Sequence, residues 1–196
     1  PKAMSYVDVL WHRKPVGEKV AIIGAGGIGF DVAEFLTSAA GPIDPNDADI
    51  DGFLAEWGID TTLMGAGGVA ASGPKMHSTR SITLCQRSDQ RFGRTLGKST
   101  GWAILEALRM KGVAFVGGVA YREIDDAGLH VTIGDEETVI EADTVVICAG
   151  QKPRRELQAS LEAAGLPVHL IGGAAEAAVL DAQRAIDQAV RLAVEM

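Results

Sequence analysis

A chain of 196 residues that is 47% hydrophobic is long enough for one well-packed domain with part of a second, and too apolar to be disordered. Its formal charge of -8 argues against a nucleic-acid partner, because binding a phosphate backbone requires a net basic face. The two cysteines, Cys85 and Cys148, sit in apolar runs and form no C-x-x-C pair, so buried reduced thiols are expected and no zinc or iron-sulfur site within the chain.

Residues 1–18 lack a sustained period and end in a Pro-Val-Gly turn, so the stretch to residue 16 reads as an entering linker with a short helix around Tyr6 to Trp11. Lys19 to Gly24 (KVAIIG) is a short apolar run bounded by glycine, the pattern of a strand buried on both faces. A helix follows at once, with Ile28, Val32, Phe35 and Leu36 on one face. Residues 38–80 interrupt this rhythm as an insertion rich in Gly, Ala, Ser, Asp and Pro, with one helix expected at Gly52 to Trp57.

Strand character resumes at Ser81 to Cys85, and Thr100 to Lys111 reads as a helix whose Trp102, Ile104, Leu105 and Leu108 face one way. Short strands are expected at Val113 to Val116, Ala120 to Ile124, Leu129 to Ile133, Thr138 to Glu141 and Thr144 to Cys148, separated by Asp- and Gly-rich turns. After Gly150 a polar, helix-prone segment leads to a strand at Val168 to Ile171, a Gly172-Gly173 pair, and an amphipathic helix from Leu180 to Val194. Ala182, Ile186, Val190 and Val194 form its inner stripe. The syllable strand, glycine turn and helix thus occurs twice. No signal peptide or apolar run of transmembrane length is present, so a cytoplasmic setting without a membrane partner is expected. The opening at Pro1 rather than Met suggests a piece of a longer protein.

Gly24-x-Gly26-x-x-Gly29 gains its meaning from its place between an apolar strand and an amphipathic helix. Gly24 permits the tight turn, Gly26 lets backbone approach a pyrophosphate, and Gly29 allows close helix packing. The N–H groups of Gly27, Ile28 and Gly29 at the helix start then face the anion. A dinucleotide-binding unit is expected. Where an NAD site usually places an acid at the end of the second strand, this chain reads Cys85-Gln86-Arg87. A guanidinium there pairs with a ribose 2'-phosphate, so Arg87, assisted by Arg91 or Arg94, favours NADPH over NADH. The run Arg87 to Lys98 is a basic island in an acidic protein, although the insertion puts the second strand later than the usual spacing.

The Asp47-Ala-Asp-Ile-Asp-Gly52 run imitates the start of a calcium loop, but Gly58 stands where the bidentate Glu is required, so a solvated acidic turn is expected. His12, His77, His130 and His169 are scattered, no hydrolytic triad can be assembled, and His130 is expected to cap or pack.

The runs KPVGEKVAIIGAGGIGFDVAEFL, IDGFLAEWGID, LGKSTGW, DDAGLHV, DTVVICAGQKP and VHLIGGAAEAAVLDAQRAIDQAVRLA together resemble the C-terminal part of the bacterial 2,4-dienoyl-CoA reductases, a family similar in plan to trimethylamine dehydrogenase. The resemblance spans almost the whole chain, insertion included. It implies an α/β, Rossmann-like FAD/NAD(P)-binding three-layer fold with a β-meander crossover, followed by the C-terminal strand and helix of a neighbouring FAD domain. Residues 1–16 would be a linker from the preceding FAD domain, 17–150 the NADPH-binding domain, and 151–196 the returning segment of the FAD domain.

By the same resemblance, Asp31 lies near the nicotinamide carboxamide, and Ala149 and Gly150 form the turn between the nucleotide domains. Gly172, Gly173, Ala174 and Leu180 approach FAD in a partial site, Ala174 replacing an acid. FMN and a 4Fe-4S cluster would belong to an upstream barrel absent from this sequence. The implied chemistry is hydride transfer from NADPH to FAD and onward to an unsaturated acyl-CoA, with no catalytic residue in this chain and no activity in isolation. Its partners would be dinucleotides and the remaining domains of the same polypeptide. The corresponding domain of an NADH oxidase or amine dehydrogenase, or a non-catalytic dinucleotide-binding module, are the alternatives.

Overall fold

The computed structural model describes residues 2–38, 49–73, 76–178 and 181–195. The chain divides into two compact units, Pro1–Ala149 and Gly150–Met196. In the first, β1 (Ala3–Ser5), α1 (Tyr6–Leu10), β2 (Lys19–Ile23) and α2 (Gly27–Thr37) precede α3 (Ile50–Glu56) and a single 3-10 turn at Ala66–Gly68. Then come β3 (Ser81–Cys85), α4 (Gly101–Met110), β4 (Ala114–Val116), β5 (Val119–Ile124), β6 (Gly128–Ile133), β7 (Glu136–Glu141) and β8 (Thr144–Ile147).

Five strands form a parallel sheet in the order β1-β8-β2-β3-β4, and β5-β6-β7 form a separate antiparallel meander. Alternation along the central strands sorts side chains to the two faces of the sheet. Val20, Ile22, Ile82, Leu84 and Val146 join Phe30, Val32 and Leu36 of α2 and Leu105 and Leu108 of α4 in one core cluster. Ala21, Cys85 and Val145 face the other way and pack with Val119, Leu129 and Val131 of the meander. Helices, sheet and meander make three layers, the Rossmann-like arrangement expected. Because β2 is covered on both sides, Val20, Ala21 and Ile22 are at most 1% exposed.

Two local expectations about the first unit are corrected. Residues 2–16 do more than link: β1 pairs in parallel with β8, Lys2 Nζ donates to the Ala142 (2.8 Å) and Asp126 carbonyls, and Val9 of α1 is buried in the helical cluster. Trp102 is 67% exposed, with its indole N–H on Ser99 O at 3.0 Å. The inward face of α4 runs through Gly101, Leu105 and Leu108, and Trp102 lies about 100° round the helix from Gly101.

The second unit holds α5 (Gln158–Ala163), α6 (Gly172–Ala175) and α7 (Ala182–Glu195). No strand forms at Val168 to Ile171. An extended segment becomes a strand only when a neighbour completes its ladder of hydrogen bonds, and this unit contains no other strand among its described residues. The stripe expected to face inward on α7 is turned outward, with Ile186, Val190 and Val194 all more than half exposed. Polar contacts hold the unit instead: Arg155 donates to the Ala174 and Ala175 carbonyls, both at 2.6 Å, and Gln188 Oε1 accepts from Gly172 N–H at 2.6 Å.

Candidate functional site

The site lies at the carboxyl ends of β2, β3 and β8. The chain leaves β2 for β3 on one side, while β8 pairs on the other, so strand order reverses there, the position at which open α/β sheets bind their ligands. Gly24 ends β2 with φ +105°, a conformation that L side chains rarely adopt, and its N–H donates to Cys85 O at 2.9 Å. A Cβ on Gly29 would stand 1.8 Å from Gly24 O, so only glycine lets α2 approach the strand this closely.

At Gly26 and Gly27 the geometry is the opposite. A Cβ at either would meet nothing within 4 Å, which leaves space in front of the helix end. Gly26 is the N-cap and no side chain caps the helix; Phe30 N–H is on Gly26 O at 3.1 Å. The N–H groups of Gly27, Ile28 and Gly29 therefore have no intrahelical acceptor and project, with the positive end of the helix dipole, into that space. A diphosphate fits this cradle. Asp31 is exposed on α2 beyond its first turn, out of position to complement the dipole.

The tip of β3 is sewn onto the β4–β5 corner. Gln86 N–H donates to Val116 O (3.0 Å), Gln86 O accepts from Val119 N–H (3.1 Å), Ser88 O accepts from Gly118 N–H (3.1 Å), and the Gln86 amide reaches Gln90 O. Arg87 extends from this anchored tip, exposed. Among the described residues no carboxylate pairs with Arg87, Arg91, Arg94 or Lys98. The basic island thus keeps its charge unneutralised beside the glycine turn. Across β2, the Ala149 Cβ lies 3.1 Å from where a Gly24 Cβ would be. Gly150, with φ +81°, opens the second unit.

In that second unit Gly172 is buried with φ +54°, and its N–H is already engaged by Gln188. Gly173 and Ala174 are half-buried, and the Ala174 carbonyl is held by Arg155. Leu180 lies outside the described residues, as does Asp47. Asp49, from the imitation calcium loop, caps α3 by accepting from Gly52 N–H at 2.7 Å. His130 Nε2 stands 2.9 Å from Asp125 Oδ2, and this contact, with Ala127 and Gly128 N–H groups, holds the Asp125 carboxyl below its ordinary range.

Burial pushes both the Cys85 and Cys148 thiols up to about 12, which keeps them protonated and poor nucleophiles. They also belong to the clusters on opposite faces of the sheet, so they form no dithiol pair. What this arrangement can do chemically is hold an anionic group such as a diphosphate at the open end of α2. Sequence reasoning missed two residues that brace these loops: Gln188, whose partner is 16 residues away, and Tyr121, which packs behind the β3 tip. Neither carries a local signal, since both act through contacts that only the tertiary fold creates. No helix among the described residues is long and apolar enough to cross a membrane.

Residues 6–182 match the family described as pyridine nucleotide-disulphide oxidoreductase. A mercuric reductase of Staphylococcus aureus is 34% identical over 110 residues, which cover 53% of this chain and 20% of that protein. Among solved structures, 2-naphthoyl-CoA reductase superposes with a TM-score of 0.59 at 18% identity, over 89% of this chain and 21% of its own. The 6-hydroxypseudooxynicotine amine oxidase of Pseudomonas geniculata N1 gives 0.61 at 20% identity, over 89% of this chain and 22% of its own. The chain spans about a fifth of the length of each of these proteins.

Proposed function

Because this chain belongs to the pyridine nucleotide-disulphide oxidoreductase family, we propose that it is the NADPH-holding domain, with the returning part of an FAD domain, of a flavoenzyme that reduces 2,4-dienoyl-CoA. At the family level it is a Rossmann-type domain of a flavin-dependent pyridine nucleotide oxidoreductase. The observation that carries the choice of NADPH is the unpaired Arg87 at the β3 tip, where an acid would serve NADH.

In this reading the N–H groups of Gly27, Ile28 and Gly29 hold the diphosphate, and Arg87, assisted by Arg91 or Arg94, forks onto the 2'-phosphate. Asp31 and Ala149 border the nicotinamide end, and Gly150 carries the chain toward the flavin side. Gly172, Gly173 and Ala174 form the returning flavin segment, where Gln188 fixes the Gly172 backbone. When bound, NADPH supplies the hydride and FAD accepts it. The chain's own residues bind, orient and exclude water.

The dienoyl-CoA assignment rests on the sequence runs, which include the insertion residues 50–60, and it accords with a fold shared with 2-naphthoyl-CoA reductase. FMN and the iron-sulfur cluster belong to an upstream barrel, and the enzyme works in the cytoplasm. The test of the nucleotide site is calorimetry on the 196-residue chain. NADPH binds at least about tenfold tighter than NADH, and Arg87→Ala removes most of the difference. Equal affinities overturn the reading. For the substrate, the longer polypeptide should oxidise NADPH with a 2,4-dienoyl-CoA as acceptor; turnover with mercuric ion or an amine in its place would assign it elsewhere.

A further inference from the structure

β5 begins against the β3 tip, with Val119 N–H on Gln86 O and Gly118 N–H on Ser88 O, both at 3.1 Å. Alternation along a strand puts Tyr121 on the same side as Val119. There it packs against the cluster that contains Cys85, Val119 and Val131. The β5–β6 register slips between Tyr121 and Glu123, and an irregularity of this kind re-aims the side chain beside it.

The Tyr121 hydroxyl is buried and has no hydrogen-bond partner among the described residues. Such a group is a standing cost to the fold, and phenylalanine would fill the same space without it. Burial pushes the phenol up to about 12, the neighbouring Cys85 acting in the same direction and the charge of Arg87 in the other. The phenol is therefore neutral, and the guanidinium of Arg87 stands within electrostatic reach of it.

We propose that Tyr121 is a positioning residue for Arg87: its hydroxyl oxygen accepts one guanidinium N–H and turns the forked edge of the group toward the 2'-phosphate of a bound dinucleotide. A guanidinium has five N–H donors, so a two-pronged grip on phosphate leaves others for the phenol. A polar atom that lacks a partner in the free protein then gains one when the ligand draws Arg87 into place. This inference rests on the NADPH reading given above and deepens it.

The test is calorimetry of NADPH and NADH on the full 196-residue chain, its Tyr121→Phe, Arg87→Ala and doubly substituted variants, with thermal unfolding in parallel. Tyr121→Phe weakens NADPH binding about tenfold, leaves NADH within about twofold, and leaves Tm unchanged or raised. In the Arg87→Ala background the same change has no further effect, because the two residues act as one unit. Tyr121→Phe overturns the inference if it weakens both dinucleotides equally, leaves the NADPH preference intact, or adds to Arg87→Ala. A parent chain without NADPH preference sinks the NADPH reading itself, a result distinct from these.

Discussion

The syllable of strand, glycine turn and helix occurs at residues 19–37 and again at 168–195, and it meets different fates. In the first copy β2 is paired on both edges and α2 buries Phe30, Val32, Ala33 and Leu36 completely or nearly so. In the second, no strand forms and the apolar stripe of α7 faces outward. The helical pattern of α7 is the more pronounced of the two, so amphipathicity is not what separates them. A pattern of apolar residues proposes a buried face; neighbouring strands and helices supply the burial.

The largest test of this contrast is Gly29→Ala. Its Cβ would stand 1.8 Å from a backbone oxygen, so the first unit should lose at least about 3 kcal/mol in urea unfolding, and dinucleotide binding with it. Gly165→Ala in the second unit, where φ is +72° and the added Cβ meets nothing, should cost about 1 kcal/mol. Comparable losses at the two sites would break the comparison.

A sharper version pairs two isoleucines. Ile22→Ala removes a side chain with no exposed surface and should destabilise by about 3 kcal/mol, whereas Ile186→Ser should stay within about 0.5 kcal/mol. Thiol labelling follows this selectively, because Cys85 and Cys148 both lie in the first unit and are buried until it opens. A large penalty at Ile186 would mean that the α7 stripe is covered in solution.

The smallest effect concerns acid. Asp8 closes a capping box with Ser5 and pairs with Lys14 at 2.7 Å, and Lys14 first, then the Ser5 groups, hold its carboxyl well below the usual range. A depressed pKa stabilises the fold fully above the unfolded value of about 3.9, and the contribution fades as pH falls through the folded value. In the second unit, Arg191 likewise lowers Asp187, on an exposed helix face. Asp8→Asn should flatten the acid limb of the stability curve, since α1 also buries Val9, while Asp187→Asn should leave it unchanged. Equal flattening by both would erase the distinction.

The same contrast explains what was legible in the sequence. β2, Gly24 and α2 could be read because local period, turn chemistry and tertiary burial agree there, and the three glycines hold the geometry their spacing implies. β1 was hidden because it is three residues long and owes its existence to β8, some 140 positions away by the pairing of Ala3 with Val145. Trp102 misled because a large apolar side chain outweighs glycine in any periodic count, yet Gly101 is the residue that faces Leu96, where a Cβ would come within 2.5 Å. At Val168 to Ile171 the composition of a strand is present, but among the described residues its partners are not. In the site, Arg87 was visible as the residue ending a strand, whereas the Gln86 anchors and the orphaned Tyr121 hydroxyl arise from contacts across the β4–β5 corner.

The near contact between Gly29 and the Gly24 carbonyl also bears on how this scaffold could change its diet. A joint with no slack between helix and strand tolerates no tinkering, so the diphosphate grip proposed for it would be frozen into the architecture. In the proposed function, discrimination between nicotinamide coenzymes falls to a separate element, the loop of residues 86–98 between β3 and α4, where Arg87, Arg91, Arg94 and Lys98 are exposed while Phe92 and Leu96 pin the loop to the core. On that reading preference is a detachable trait: grafting a different loop should convert the coenzyme appetite while the frame beneath stays as it is.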